Sequence, residues 1–197
     1  MPRRDHLRRL LEAHVPADAR EDAHKSRILR LLETSEQPFS RTQYAPGHVT
    51  ASAFVLAPGG SELLLILHGK LRLWLQPGGH VEPDDADILA AARREVLEET
   101  GIAALEPVGA GLLDLDVHDI PARADQPAHA HFDVRFVFTT PGRDFRAGSD
   151  AHDARWVPIA ALHASAAAPG GSPYPSDESV LRAVRKLSEV HGEQVSR

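Results

Sequence analysis

Three glutamates lie close together in one segment of the sequence that has a helical pattern. Glu95, Glu98 and Glu99 are three and four positions apart, so on a helix they share one edge. They repel one another there, and they stand near the C-terminal end of the helix, where the backbone dipole disfavours anions. A divalent cation would relieve both effects, because Mg²⁺ and Mn²⁺ prefer oxygen ligands. The spacing therefore indicates a metal site, with a solvated acidic face as the alternative.

A pair of glycines precedes this helix. Gly78 and Gly79 follow a short apolar run, and glycines let the chain turn tightly and approach a neighbour closely. The carbonyl oxygen of Gly79 could then act as a further metal ligand. A solvated acidic face alone does not account for the ordered occurrence of the glycine pair, the Arg94-Glu95 pair and the closing Gly101.

The whole segment resembles the box of the Nudix hydrolases, in which a glycine and a glutamate precede Arg-Glu, Glu-Glu and a closing glycine. The residues that match are Gly79, Arg94, Glu95, Val96, Glu98, Glu99, Gly101 and Ile102. In one respect the sequence departs from the pattern, because 14 residues separate Gly79 from Arg94, one more than in the family. We interpret this as a longer loop before the helix.

The family's first glutamate has no direct equivalent in this chain. It would fall at Asp85 when counted from Gly79, or at Ala86 when counted back from Arg94. In the family that glutamate mainly supports the loop and the helix. Asp85 or Asp87 could do the same as a helix N-cap or as an acid in the first turn.

The resemblance implies an α/β (α+β) fold, a Nudix-type mixed β-sheet sandwiched between α-helices. It also implies hydrolysis of the pyrophosphate bond in a nucleoside diphosphate linked to another moiety, such as a sugar, a dinucleotide or a (d)NTP. Substrate and glutamates are both anionic, so they can meet only through Mg²⁺ or Mn²⁺, which also activates water. The expected metal ligands are the Gly79 carbonyl, Glu95, Glu98 and Glu99, and the expected catalytic residues are Glu95, Glu98, Glu99 and Arg94.

Within this set, one acid has to accept a proton from the attacking water. Glu98 is the first candidate, and Asp150 or Asp153 from a later loop is the alternative. We expect Arg94 to anchor the helix by ion pairing rather than to touch the substrate.

Other polar residues are candidates for binding substrate. His129 and His131 alternate on a predicted strand and so face the same way, and Asp133 and Arg135 share that face. A two-histidine metal site is one interpretation, and a strand-edge pair or a contact with substrate phosphate is the favoured one. The expected substrate-binding residues are His80, Arg72, Lys70, His131 and Asp133.

Apolar periodicity predicts the elements that position these residues. We divide the chain into an N-terminal helical extension, 1–45, and a Nudix hydrolase domain, 46–197, with its box at 79–102. The extension is interpreted as a cover on the domain or on a partner subunit, with a substrate lid as the alternative. Strands are predicted at 48–57, 62–68, 71–75, 105–117, 131–139 and 154–158, helices at 84–100 and after Ser176, loops at 119–128 and 141–152, and a link at 165–175.

Composition narrows the class of protein further. The 197 residues include 28 Asp+Glu against 22 Lys+Arg, a net charge of −6, which argues against a nucleic-acid partner. Cysteine is absent, which excludes disulfides and counts against isoprenyl diphosphate isomerisation on the same scaffold. No apolar run is long enough for a membrane helix, and the N-terminus lacks an apolar signal core, so we expect a cytoplasmic protein.

Two further expectations concern activity and assembly. A catalytically silent module that senses a nucleotide metabolite is the alternative to an enzyme, but such a module would be expected to have lost a box glutamate. Many relatives are dimers and the N-terminal helices could form an interface, so a homodimer is the expected assembly.

Overall fold

The computed structural model describes residues 2–148, 151–167 and 173–195. Within these ranges the chain forms helices and strands in a mixed order, and none of those helices is both long and apolar enough to cross a membrane. The elements are α1 (Arg3–Ala13), α2 (Ala19–Thr34), β1 (Gly47–Leu56), β2 (Glu62–His68), β3 (Trp74–Leu75), β4 (Gly78–His80), α3 (Ile88–Thr100), β5 (Glu106–Ile120), β6 (His129–Thr139), β7 (Ala151–Pro158), α4 (Ile159–Ala167) and α5 (Glu178–Val195).

The strands form one mixed sheet with β1 near its centre. The main order is β3-β2-β1-β6-β5, while β4 pairs with β1 and β7 with β2. The β1–β6 pair is parallel and the other strand pairs are antiparallel. Gly47 permits the close start of the parallel pair, because a Cβ there would lie 1.8 Å from the carbonyl oxygen of Ala130.

Two apolar layers cover the sheet, as the alternation along β1 requires. Val49, Ala51 and Ala53 point to the layer formed by α1, α2 and α3, whereas Phe54 and Leu56 point to the layer formed by α4 and α5. The expected sheet sandwiched between helices is therefore confirmed.

The N-terminal helices belong to the same core as the sheet. Leu7 and Leu11 of α1 and Ile28 of α2 are fully buried in the apolar layer that also contains α3. The buried carboxylate of Glu21 on α2 also accepts hydrogen bonds from Lys186 on α5, at 2.6 and 2.7 Å. These contacts place the segment as a cover on its own domain.

Several predicted boundaries differ from the structure. The helix predicted from residue 84 begins at Ile88, because the Asp87 carboxylate caps it by accepting from the Ala90 N–H at 2.8 Å. Gly78 and Gly79, predicted as a turn, pair with β1 as strand β4. The predicted third strand shortens to β3. Strand β7 begins within the predicted loop 141–152, and α4 takes up the start of the predicted link.

Candidate active site

Gly79 brings the backbone of β4 against the carboxylate of Glu95. A Cβ at position 79 would lie 2.7–2.8 Å from the carboxylate atoms, so glycine alone leaves them in place. The Glu95 side chain is only 13% exposed. Burial raises its pKa to about 7, although the neighbouring Arg94 acts in the opposite direction.

Arg94 connects the helix to the loop in front of it. Its Nε and Nη2 donate to the two carboxylate oxygens of Asp85 at 3.0 and 3.1 Å. Its Nη1 donates to Glu95 at 3.0 Å and to Glu98 at 2.8 Å, and Nη2 also donates to the His80 carbonyl at 2.8 Å. The partners raise the pKa of Arg94 although its burial opposes them, so the guanidinium stays charged.

The longer loop is held at both of its sides. The Asp85 carboxylate accepts from the Glu82 N–H at 2.7 Å, as well as from Arg94. From α1, Arg3 donates to the carbonyl oxygens of Glu82 and Pro83 at 2.9 and 2.6 Å. Asp85 therefore lies where an acid supporting the loop is required, and the extra residue is accommodated before the helix begins.

The three glutamates, here called the carboxylate edge, differ in their surroundings. Glu98 is 54% exposed and bound to Arg94, whereas Glu99 accepts from the Gly78 N–H at 2.9 Å. Behind them, the Gly148 N–H donates to the Glu99 carbonyl at 2.7 Å, so a later loop covers the end of α3. The edge offers carboxylate oxygens of the kind that a hard cation takes, and the open position of Glu98 leaves it accessible.

A band of polar residues crosses one face of the sheet where β1, β6 and β5 lie side by side. Residues that are direct partners on neighbouring strands point to the same side, so successive pairs form rows. We call the three rows the polar sheet face: His48–His131–His118, Thr50–Asp133–Asp116 and Ser52–Arg135–Asp114.

The charges of the polar sheet face are buried and paired. Arg135 is 3% exposed and donates to Asp133 at 2.9 Å and to Asp114 at 3.3 Å, with Asp116 at 3.4 Å. Arg182 of α5 donates to both Asp114 oxygens at 2.8 and 2.9 Å. Helix α5 is thus held to this face by charge as well as by apolar packing.

Asp133, predicted to bind substrate, is engaged within the protein. Its oxygens accept from Thr50 at 3.1 Å, from Ser52 at 2.8 Å and from Arg135. The geometry therefore gives this carboxylate a part in joining β1 to β6.

The histidines gather around His131. Its ring centroid lies 4.9 Å from that of His48, 5.4 Å from His80, 5.5 Å from His118 and 5.2 Å from His129. Burial and the neighbouring histidines lower the pKa of His131 to about 2 and that of His80 to about 4, so both rings are neutral near pH 7.

Four candidates remain: Lys70 and Arg72 for substrate binding, and Asp150 and Asp153 as the alternative base. Lys70 and Arg72 are exposed in the segment between β2 and β3. Asp153 on β7 is paired with Arg155 at 2.9 Å. Asp150, the other alternative base, falls outside the described residues.

Sequence reasoning did not single out His48 or His118. His48 stands at the start of a buried strand, and His118 lies in the part of β5 next to a predicted loop. The alternation of His48 with Thr50 was a signal for a polar strand face. The histidines that His48 would meet depend on the parallel register between β1 and β6, and that register cannot be read from the sequence.

A model of a known protein family matches the part of the chain that carries these residues. The model of the NUDIX domain matches residues 46–177. Phosphatase NudJ from Escherichia coli strain K12 is 45% identical over 60 residues, which cover 29% of this chain and 37% of that protein. The chain thus spans well under half the length of this curated relative.

Solved structures share the fold. A hydrolase of the NUDIX family from Clostridium perfringens has a TM-score of 0.52 and 23% identity, covering 73% of this chain and 97% of its own. A C. elegans Ap4A hydrolase has a TM-score of 0.50 and 19% identity, covering 74% of this chain and 98% of its own.

Proposed function

Because the chain belongs to the Nudix family, we propose that it hydrolyses the pyrophosphate bond of a nucleoside diphosphate linked to another moiety, with Mg²⁺ or Mn²⁺ as cofactor. The observation that supports this proposal most is the contact between the Gly79 backbone and the Glu95 carboxylate, beside Glu98 and Glu99. It combines a carbonyl with three carboxylates, the oxygen ligands of a hard divalent cation.

The chain's own residues prepare the carboxylate edge for such a cation. Gly79 leaves room for the Glu95 carboxylate, and the Gly78 N–H orients Glu99. Arg94 fixes the helix against the loop through Asp85. A divalent cation held by the edge would offset the charge of the diphosphate and make water a better nucleophile.

Glu98 is the proposed acceptor of the proton from the attacking water. It is the most exposed carboxylate that Arg94 contacts on the helix, so water reaches it without a change of the fold. Arg94 positions it at 2.8 Å. Asp153 is less suited to the task, since its carboxylate is paired within β7.

The test measures release of nucleoside monophosphate and phosphate from nucleoside diphosphate sugars, dinucleoside polyphosphates and (d)NTPs, with Mg²⁺ or Mn²⁺. We expect turnover of one of these classes and a loss of at least about 10²-fold in kcat for Glu98→Gln, the upper range for general-base removal being about 10⁴. Glu106→Gln is the matched control, because Glu106 is an exposed glutamate just beyond the box.

Two outcomes would contradict the proposal. Equal activity of Glu98→Gln and Glu106→Gln would remove Glu98 from the chemistry. If no substrate is turned over while a nucleotide raises the melting temperature, the protein is a nucleotide-binding module rather than an enzyme.

A further inference from the structure

Three imidazoles from three different strands converge at the first row of the polar sheet face. His48 lies on β1, His131 is its direct partner on β6, and His80 lies on β4, which pairs with the other side of β1. Their ligand nitrogens all lie within 4.8 Å of one another. No other set of three histidine, aspartate or glutamate side chains in the described ranges converges in this way.

We propose that His48, His80 and His131, here called the histidine cluster, form a second metal site that takes Zn²⁺. Imidazole nitrogen suits zinc, whereas Mg²⁺ prefers oxygen, so this site and the carboxylate edge select different ions. The proposal does not depend on the hydrolytic activity, because it concerns which metal these three side chains bind.

The spacing of the rings agrees with a three-histidine centre. The centroid distances are 5.1 Å for His48–His80, 4.9 Å for His48–His131 and 5.4 Å for His80–His131. Tetrahedral zinc with Zn–N of about 2.1 Å places imidazole centroids about 5 Å apart and nitrogens about 3.4 Å apart. The rings are therefore already at the required separation, and rotation of the side chains brings the nitrogens to the shorter distance.

His48 supplies an independent indication of a ligand. Its side chain is 1% exposed, and its Nδ1 lies 3.0 Å from the Gln43 carbonyl oxygen. A carbonyl can only accept, so Nδ1 carries the proton and Nε2 presents a lone pair. That buried Nε2 has no hydrogen-bond partner in the described part of the chain. An unpaired buried acceptor is destabilising, whereas zinc would use it as a ligand.

The contact from Gln43 is also what a metal-binding histidine requires. Such histidines donate their second ring N–H to a carbonyl or carboxylate, which fixes the tautomer and the ring orientation. The cluster is built on paired strands rather than on loops, so its backbone is held by the sheet ladder.

Two neighbouring histidines, His118 and His129, border the cluster but do not belong to the set whose ligand nitrogens all lie within 4.8 Å of one another. His118 pairs through Nδ1 with Asp116 at 3.0 Å, and His129 pairs through Nδ1 with the Pro127 carbonyl at 2.8 Å. Three protein ligands leave the fourth position of tetrahedral zinc for water or for an oxygen of a bound molecule. The His80 carbonyl accepts from Arg94, so the backbone of one cluster residue is held by helix α3.

The experiment titrates the chelator-treated protein with ZnCl₂ and, separately, with MgCl₂, by calorimetry. We expect one zinc ion per chain and a higher melting temperature with zinc. His80→Gln and His131→Gln should each weaken zinc affinity by about 100-fold or more, since changes even to residues behind a metal ligand cost about 10–100-fold. His163→Gln is the matched control, because His163 pairs with Ser188 away from the cluster.

Two further measurements show whether zinc binds at the histidine cluster or at the carboxylate edge. Glu98→Gln should keep wild-type zinc affinity, and the absorption spectrum of the Co²⁺-substituted wild-type protein should show tetrahedral nitrogen coordination. Circular dichroism of each variant with chelator checks its fold, and if one of the two histidine variants unfolds, the other decides the outcome. Wild-type zinc affinity in a folded histidine variant, loss of zinc in Glu98→Gln, or absence of stoichiometric binding would each overturn the proposal.

Discussion

The carboxylate edge of α3 and the polar sheet face both carry several charged groups, yet they are built in different ways. Glu95, Glu98 and Glu99 come from one turn and a half of one helix, and Glu98 is largely open to water. The sheet face joins residues as far apart in sequence as Thr50 and Asp133, which are 83 positions apart and both buried. Both regions concentrate charge, but only one does so within a single local motif.

The difference shows how a protein maintains charged groups in two environments. On the carboxylate edge, Arg94 contacts Glu95 and Glu98, and water screens the exposed Glu98, so the edge can keep excess negative charge for a cation. On the buried face, each carboxylate must be paired, because unpaired buried charges are costly. Arg135 and Arg182 therefore hold Asp114 internally, and this face has little charge left for a ligand.

The largest expected effect tests the polar sheet face, whose charges are buried. Arg135→Met leaves the buried Asp133 without its guanidinium partner and leaves Asp116 with the longer guanidinium contact to Arg182 at 3.5 Å, and breaking a buried pair in this way costs about 3–5 kcal/mol. Urea unfolding measures the change. Arg185→Met is the control, because the exposed Arg185–Glu178 pair contributes at most about 1 kcal/mol. Equal destabilisation by the two variants would show that the sheet face is not maintained by its charges.

The next prediction concerns the carboxylate edge, where we expect a change in the position of a side chain rather than in the stability of the fold. Gly79→Ala places a Cβ against the end of a flexible side chain, so we expect Glu95 to move while the fold remains. A displacement of about 1 Å reduces activity about 10²-fold. Hydrolysis and thermal unfolding of the same samples separate the two effects. Gly142→Ala, where a Cβ meets nothing within 4 Å, should change neither. Unfolding of Gly79→Ala together with its loss of activity would contradict the expectation.

The smallest effect tests the docking of α5, which covers the sheet face. Burial raises the pKa of Glu21, but hydrogen bonds from His14, Ala17 and Lys186 outweigh it and hold the pKa at about 2, below its ordinary 4.5. The stabilisation is therefore complete above about pH 4.5 and is lost as the pH falls through about 2.

Glu21→Gln should accordingly lower the free energy of unfolding by about 1–3 kcal/mol at pH 7 and flatten its decline between pH 5 and pH 2. Chemical unfolding across that pH range measures both. Glu12→Gln, at an exposed position of α1, should leave the profile unchanged. An unaltered acid slope in Glu21→Gln would mean that this carboxylate does not hold α2 to α5.

Much of the fold was predictable because its signals are local. The apolar periodicity of α3, its closing Gly101 and the richness of β1 in apolar residues can each be seen within a short segment. The start of α3 was placed too early, since the sequence does not reveal that Asp85 turns back to the Glu82 N–H while Asp87 acts as the cap. Helix α4 was missed because it is short and rich in alanine, with weak amphipathicity.

The candidate sites also differ in whether their signals are local in the sequence. The carboxylate edge was predicted residue by residue, because positions three and four apart on a helix must be neighbours. The substrate-binding roles of Lys70, Arg72, His80, His131 and Asp133 stay predictions, as does the homodimer. The histidine cluster was found only in part, since His80 and His131 were noticed but His48 was not.

The sequence by itself determined the family, the mixed sheet between helices and the grouping of glutamates on α3, because these depend on residues that are neighbours along the chain. The tertiary structure alone decided that His48 meets His131, that Asp133 joins β1 to β6, and that α1 holds the longer loop through Arg3. Those contacts depend on strand register and helix docking. Both are set by the packing of the whole core and by the closure of long loops, which no short segment of the chain encodes.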